Sequence, residues 1–83
     1  MKNQRDELII KKIQANLREL RKKKGATQGD LAIITGRSEN AIGSWEQGLS
    51  LPDIETLYRL SIYYQISMEY FFQHEPEELK KTS

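Results

Sequence analysis

Thr27-Gln28-Gly29-Asp30-Leu31-Ala32-Ile33-Ile34-Thr35-Gly36-Arg37-Ser38-Glu39-Asn40-Ala41-Ile42-Gly43-Ser44-Trp45-Glu46-Gln47-Gly48 is the stretch whose punctuation decides the fold of this chain. Thr27 stands three residues before Asp30, a spacing close to a capping box, in which each side chain satisfies a free backbone N–H of the other. A helix opening there has Leu31, Ala32 and Ile34 as its inner residues and ends at Gly36. Ser38 then caps a second short helix over 39–47, in which Ala41, Ile42 and Trp45 form one apolar stripe. Gly48 stops it. The stretch therefore reads as two short helices joined by the turn Thr35-Gly36-Arg37.

The flanks continue the pattern. Upstream, Ile9, Ile13, Leu17 and Leu20 recur at helical spacing, which predicts a helix over 6–24 with its apolar stripe on the core and Gly25 as a left-handed stop. Downstream, Asp53 can cap a helix running to about Tyr64, with Ile54, Leu57 and Leu60 inward and Pro52 at the boundary, where it is tolerated. Ser67 caps a fifth helix through Phe72. From His74 onward the chain holds Pro76, many charges and almost nothing to bury, so residues 74–83 are expected to be a flexible charged tail behind a domain over 1–73. No stretch alternates like a strand between hairpin turns. The expected fold is all-α, a compact five-helix domain.

With 83 residues there is room for one domain. The absence of cysteine leaves no disulfide or thiolate metal site, so stability must come from packing, and a reducing compartment fits. The longest apolar runs, Leu8-Ile9-Ile10 and Leu31-Ala32-Ile33-Ile34, fall far short of the roughly 20 residues that span a bilayer. The start, Met1 to Glu7, lacks the apolar core of a signal peptide. A cytoplasmic protein away from membranes is expected. An enzyme has little to work with: the one histidine, His74, lies in the charged tail, the carboxylates are scattered on exposed faces, and no metal-ligand spacing occurs. No cofactor is implied.

The formal net charge of +1 hides an asymmetry, because residues 1–24 hold nine Lys and Arg against three Asp and Glu, and the rest holds four against nine. Such a split can mark a nucleic-acid face, or simply a solvated basic helix. The two-helix stretch weighs more. Helices joined by so short a turn form the helix-turn-helix geometry, in which the second helix enters the DNA major groove.

The run from Thr27 to Ala32, through Gly36-Arg37-Ser38 to Ile42, Trp45-Glu46 and Gly48, resembles the lambda-repressor-like, Cro/Xre-type family of regulators. So does the continuation Leu51-Pro52-Asp53-Ile54-Glu55-Thr56-Leu57, and the resemblance runs from about Ile13 to Phe72. It implies a five-helix domain that binds a double-stranded DNA operator, usually as a dimer on a palindrome, and represses or activates a promoter. An antitoxin, which binds a toxin and also represses its own promoter, keeps the same fold. A protein partner or an inducer is therefore compatible with the sequence.

The family's pattern makes Gln28 a phosphate clamp at the start of the second helix, where free N–H groups and the helix dipole favour an anion; the plain alternative is an exposed polar residue. On the recognition helix, Ser38, Glu39, Asn40, Gly43, Ser44 and Gln47 match DNA-facing positions. Asn40 can pair with adenine through donor and acceptor, and Glu39 can accept from a cytosine amine; a solvated surface is the alternative for each. Gly43 and Ser44 are small, which implies either close backbone approach to DNA or simple tolerance, and leaves part of the specificity to DNA shape. Arg37 replaces the apolar residue often found at its position and is read as a phosphate contact. Gln47 and the backbone near Gly48 meet the sugar-phosphate chain where relatives often carry Lys or Arg, so modest affinity is expected. Arg21 and Glu46 match a buried ion pair that recurs in the family. Met68, Tyr70, Phe71 and Phe72 offer more apolar surface than one short helix can bury; Phe71 belongs to the core, and Met68, Tyr70 and Phe72 are assigned to the dimer contact found in relatives. Gln65 stands where relatives commonly have glycine, so that turn is expected to differ.

Overall fold

The computed structural model describes residues 4–80. Six helical segments follow in order: α1 Gln4–Lys24, α2 Gln28–Thr35, α3 Glu39–Gln47, α4 Ile54–Tyr64, α5 Tyr70–Gln73 and α6 Glu77–Lys80. No strand occurs among the described residues, and none of the helices is long and apolar enough to cross a membrane. The first five segments are the helices expected from the sequence. The sixth is an addition.

Buried Ile13 and Leu17 of α1 meet Leu31 of α2, Ile42 and Trp45 of α3, Leu57 and Leu60 of α4, and Phe71 of α5 in one core. The helices α2 to α5 have 11 residues or fewer and are marginal alone, so each depends on this shared burial. Two residues read as inward are not. Ile54 is 77% exposed, because the first turn of α4 stands at the rim of the core while Leu57 and Leu60, one and two turns on, reach into it. Ile9 is also exposed, since the first turns of α1 run past the end of the core.

The turn after α4 closes without glycine. Gln65 takes the left-handed conformation at φ 59° and donates its N–H to the Ile62 carbonyl at 3.2 Å. For a residue with a Cβ that conformation costs roughly 1–2 kcal/mol, which the surrounding contacts must offset. The fifth helix begins later than its sequence suggests. Ser67 does not cap it through its side chain; its carbonyl accepts from the Tyr70 N–H at 3.1 Å, and Glu69 at the cap position makes no side-chain bond.

The segment expected to be a loose tail is folded back on α1 as far as it is described. Asn16, fully buried on α1, donates through Nδ2 to the carbonyls of Phe71 at 3.1 Å and His74 at 3.0 Å. Glu19, one turn on, accepts from the Glu77 N–H at 2.8 Å, and its other oxygen lies 3.2 Å from His74 Nε2. Burial pushes the Glu19 carboxyl up, but the Glu77 amide, His74 and Lys23 outweigh it and hold it below its ordinary value. Tyr70 stacks on His74 with ring centroids 4.4 Å apart. Lys12 pairs with Glu75 and Arg18 with Glu78, and Pro76 is buried. The composition of the tail was a poor guide because its charges have partners on α1. Residues 81–83 lie outside the described residues.

Asn16→Ala removes the donor that satisfies these carbonyls and leaves them buried. A loss of about 1–3 kcal/mol in urea unfolding is expected, with faster hydrogen exchange at the amides of Glu77 and Lys80. An unchanged midpoint and unchanged exchange contradict the assignment.

Candidate nucleic-acid interface

The turn between α2 and α3 is built from side chains as much as from backbone. Thr35 is buried; its hydroxyl donates to the Leu31 carbonyl at 2.8 Å and accepts from the Arg37 N–H at 3.2 Å. Gly36, at φ 72°, supplies the left-handed step that reverses the chain, a conformation glycine adopts without steric cost. Thr27 and Asp30 form the full capping box, with bonds of 3.0 and 2.9 Å, and Ser38 accepts from the Ala41 N–H at 3.1 Å. These caps fix where both helices begin.

Three helices converge on one carboxylate. Glu46, 4% exposed in the last turns of α3, accepts from Arg21 Nε at 2.7 Å and from Nη2 at 3.0 Å, and Arg21 Nη1 donates to the Ala26 carbonyl at 3.1 Å. Hydrogen bonding to Glu46 raises the pKa of the Arg21 guanidinium. Gln28 Nε2 reaches the same carboxylate at 3.3 Å, tying the start of α2 to the end of α3. Arg18, one turn before Arg21, donates to the Glu46 backbone carbonyl at 2.6 Å. Its spacing of three from Arg21 puts it on the same face of α1, a signal in the sequence that the reading there did not use. Tyr64 lies within electrostatic reach of the pair, and burial pushes its phenol above the ordinary range.

The residues singled out on α3 fall into different environments. Glu39, Asn40 and Gln47 are exposed. Ser44 is half-buried, and its hydroxyl shares a hydrogen bond of 2.7 Å with that of Ser50. Gly43 shares the face of Asn40 and Gln47, three and four residues away. It is buried beneath two glutamines, and a Cβ added there would stand 3.6 Å from Gln28 Oε1 and 3.9 Å from Gln47 Nε2. These are ordinary contacts, so alanine would fit in the free protein. Glu39 leans back on α2, since a Cβ at Gly29 would come within 3.1 Å of its carboxylate. Arg37 turns away from α3 to the start of α4, where Nη2 lies 2.7 Å from Asp53 Oδ2 and Nε donates to Thr56 Oγ1 at 3.3 Å.

Met68 and Phe72 line an open apolar groove of about 460 Å³, together with Ile13, Leu51, Pro52, Ile54 and Leu57. Tyr70 does not line it. Tyr70 is two residues from each of them, about 200° around a helix, and it turns toward α1 and the tail, where it stacks on His74. Leu51 and Ile54 were missing from the sequence assignment. An exposed apolar residue at a helix start, Ile54 after Pro52, was the available signal.

Two capped helices about a tight left-handed turn, with the second fixed by a buried carboxylate, define a helix-turn-helix protein. The helix-turn-helix family profile matches residues 17–71. Among solved structures the chain is similar to the P22 c2 repressor, crystallised in complex with synthetic operator 9T in the presence of Tl+. The two share 32% identity over 76% of this chain and 96% of that one, with a TM-score of 0.70. No curated protein matches the chain. The chain belongs to the lambda-repressor-like, Cro/C1-type helix-turn-helix family.

Removing one partner of the Arg21 and Glu46 pair leaves the other charge buried. Arg21→Ala and Glu46→Ala should each lower stability by about 3–5 kcal/mol, read by urea unfolding followed through the single tryptophan, Trp45. A loss below 1 kcal/mol for both would make the pair a surface decoration.

Proposed function

We propose that the chain is a transcriptional repressor that binds a palindromic operator in double-stranded DNA as a homodimer, acting in the cytoplasm. The carrying observation is the exposed row Asn40 and Gln47 on α3, standing beside a Gln28 that Glu46 holds at the capped start of α2. The printed description of the similar P22 c2 structure, a repressor in complex with an operator, supports the reading.

In this reading α3 lies in the major groove. A phosphate meets the free N–H groups at the start of α2, where the helix dipole favours an anion and Gln28 donates from a fixed position. Asn40 reads adenine through N6 and N7, and Glu39 reads a cytosine amine once it has swung away from the start of α2, where it would repel that phosphate. Ser44 is held by Ser50 and brings little reach, and Gly43 lets the two glutamines sit close to the helix. Few side chains on this face carry positive charge. Affinity is therefore modest and weakly salt-dependent, and sequence-dependent DNA shape supplies part of the discrimination.

The groove between α1, α4 and α5 supports the homodimer. It is apolar, open and bounded by Met68, Phe72, Leu51 and Ile54, which a two-fold partner can cover with the same residues.

Selection of bound sites from random duplex DNA tests the reading, with recovery of no preferred site as the result against it. Against the selected site, Gln28→Ala should weaken binding evenly across single-base variants, because a phosphate contact sets register without reading sequence. Asn40→Ala should instead lose about 1–3 kcal/mol of discrimination at one base pair in each half-site. Even weakening by Asn40→Ala moves base readout to Glu39 or Gln47. For the dimer, Phe72→Asp should give monomers in analytical ultracentrifugation with helical circular dichroism retained; an intact dimer places the interface elsewhere.

A further inference from the structure

We infer that Arg37 is a positioning residue that locks the start of the recognition helix to α4, and that its side chain stays on α4 when DNA is bound. The inference rests on the DNA-binding reading above and removes Arg37 from the phosphate contacts expected of it. Arg37 is the residue just before Ser38, the cap of α3, and its N–H is held by buried Thr35. Its side chain is committed in the other direction. Nη2 lies 2.7 Å from Asp53 Oδ2 and 3.9 Å from Glu55 Oε1, and Nε donates to the hydroxyl of fully buried Thr56 at 3.3 Å. The planar fork thus spans the first turn of α4, touching its cap residue and two residues behind it.

The surroundings argue against release to a phosphate. Asp53 accepts from the Thr56 N–H at 3.0 Å with one oxygen and from Arg37 with the other, so both oxygens are in use. The bonds to Thr56 come first and Arg37 adds to them in holding the Asp53 carboxyl below its ordinary range, and so it stays an anion beside the guanidinium at neutral pH. Asp53 and Glu55 together put two negative charges next to the place where a phosphate oxygen would have to sit to share Arg37. Arg59, bonded to Glu55 at 3.1 Å, offsets one of them. Leaving α4 would also strip the buried Thr56 hydroxyl of its donor. The tie matters for binding because α3 is short, and a small change in the angle at its cap moves Asn40 and Gln47 relative to Gln28.

The test uses Arg37→Ala, Asp53→Asn and the double variant of the full chain, titrated by fluorescence anisotropy against the duplex that the wild-type protein selects. Asparagine caps a helix about as well as aspartate, so Asp53→Asn keeps α4 capped and removes only the anion facing Arg37. Both single variants should weaken binding about three- to fivefold, the range of an exposed ion pair. The double variant should be no weaker than either, and the slope of log K against log salt should stay at the wild-type value. A merely stabilising pair would shift melting and leave the affinity of the folded protein alone, which overturns the inference. A slope reduced by about 0.9 in Arg37→Ala, with Asp53→Asn binding as well as wild type or better, makes Arg37 a phosphate contact and also overturns it. If the wild-type chain selects no site, the DNA reading fails by itself. The lock is then judged by urea unfolding, where non-additive losses in the double variant support it and additive ones refute it.

Discussion

The recognition helix is tied to both α1 and α2 through the carboxylate of Glu46. It sits near the end of α3, takes two bonds from Arg21 of α1 and one from Gln28 of α2, and lies almost wholly out of water. A buried ion pair is a weak source of net stability, since the desolvation of both charges offsets most of their attraction. What such a pair supplies is geometry. An apolar contact between three helices tolerates small rotations and slides, whereas a guanidinium fork on a carboxylate tolerates few. Arg18, donating to the carbonyl of the same residue, fixes the backbone as well as the side chain.

The second constraint is helix length. α2 and α3 have 8 and 9 residues, too short to hold themselves together in water, so their ends carry much of the specification. The box at Thr27 and Asp30, the Ser38 cap and the left-handed glycines at 36 and 48 give each helix one start and one stop. At Gly48 a Cβ would come within 2.5 Å of Gln14 Oε1, the end of a flexible side chain that would have to move. A function that depends on the relative placement of two short helices is thus secured at their termini and by one buried charge. The central contacts supply the bulk of the burial.

These features were legible because they are local. Capping and helix stops are set by residues three or four apart, so Thr27, Asp30, Gly36, Ser38 and Gly48 announced α2 and α3, and the periodicity of Ile13, Leu17, Leu57 and Leu60 announced the core. What the sequence hid depends on where an element ends in space. Ile54 has the right period for burial but lies beyond the edge of the core, and Tyr70 shares a short helix with Phe72 yet faces a different neighbour. The segment from His74 to Lys80 looked unfolded because its charges were counted without their partners. Those partners, Asn16, Glu19 and Arg18, are more than fifty residues away in the chain. The partners of Arg37 were hidden for a related reason: only the fold brings Asp53 and Thr56 to meet it.

The same pairing alters the meaning of the basic first helix. Its excess of positive charge has the look of an electrostatic footprint, yet Lys12 is matched by Glu75, Arg18 by Glu78, Arg21 by Glu46 and Lys23 by Glu19. Much of the asymmetry along the sequence is therefore cancelled inside the fold, and the acidic segment after α5 is drawn to α1 by it. The face formed by Gln28, Asn40 and Gln47 is left with neutral hydrogen-bonding side chains and one acid, Glu39. Such a surface attracts DNA weakly at long range, since steering grows with net charge. On the proposed reading it gains its contacts only when donors and acceptors are aligned with the groove. Weak attraction also limits binding to random sequence, because non-specific affinity comes almost entirely from charge. On the proposed reading, discrimination rests on the placement of a few neutral groups, carried by two short helices that a buried ion pair and a full capping box hold in place.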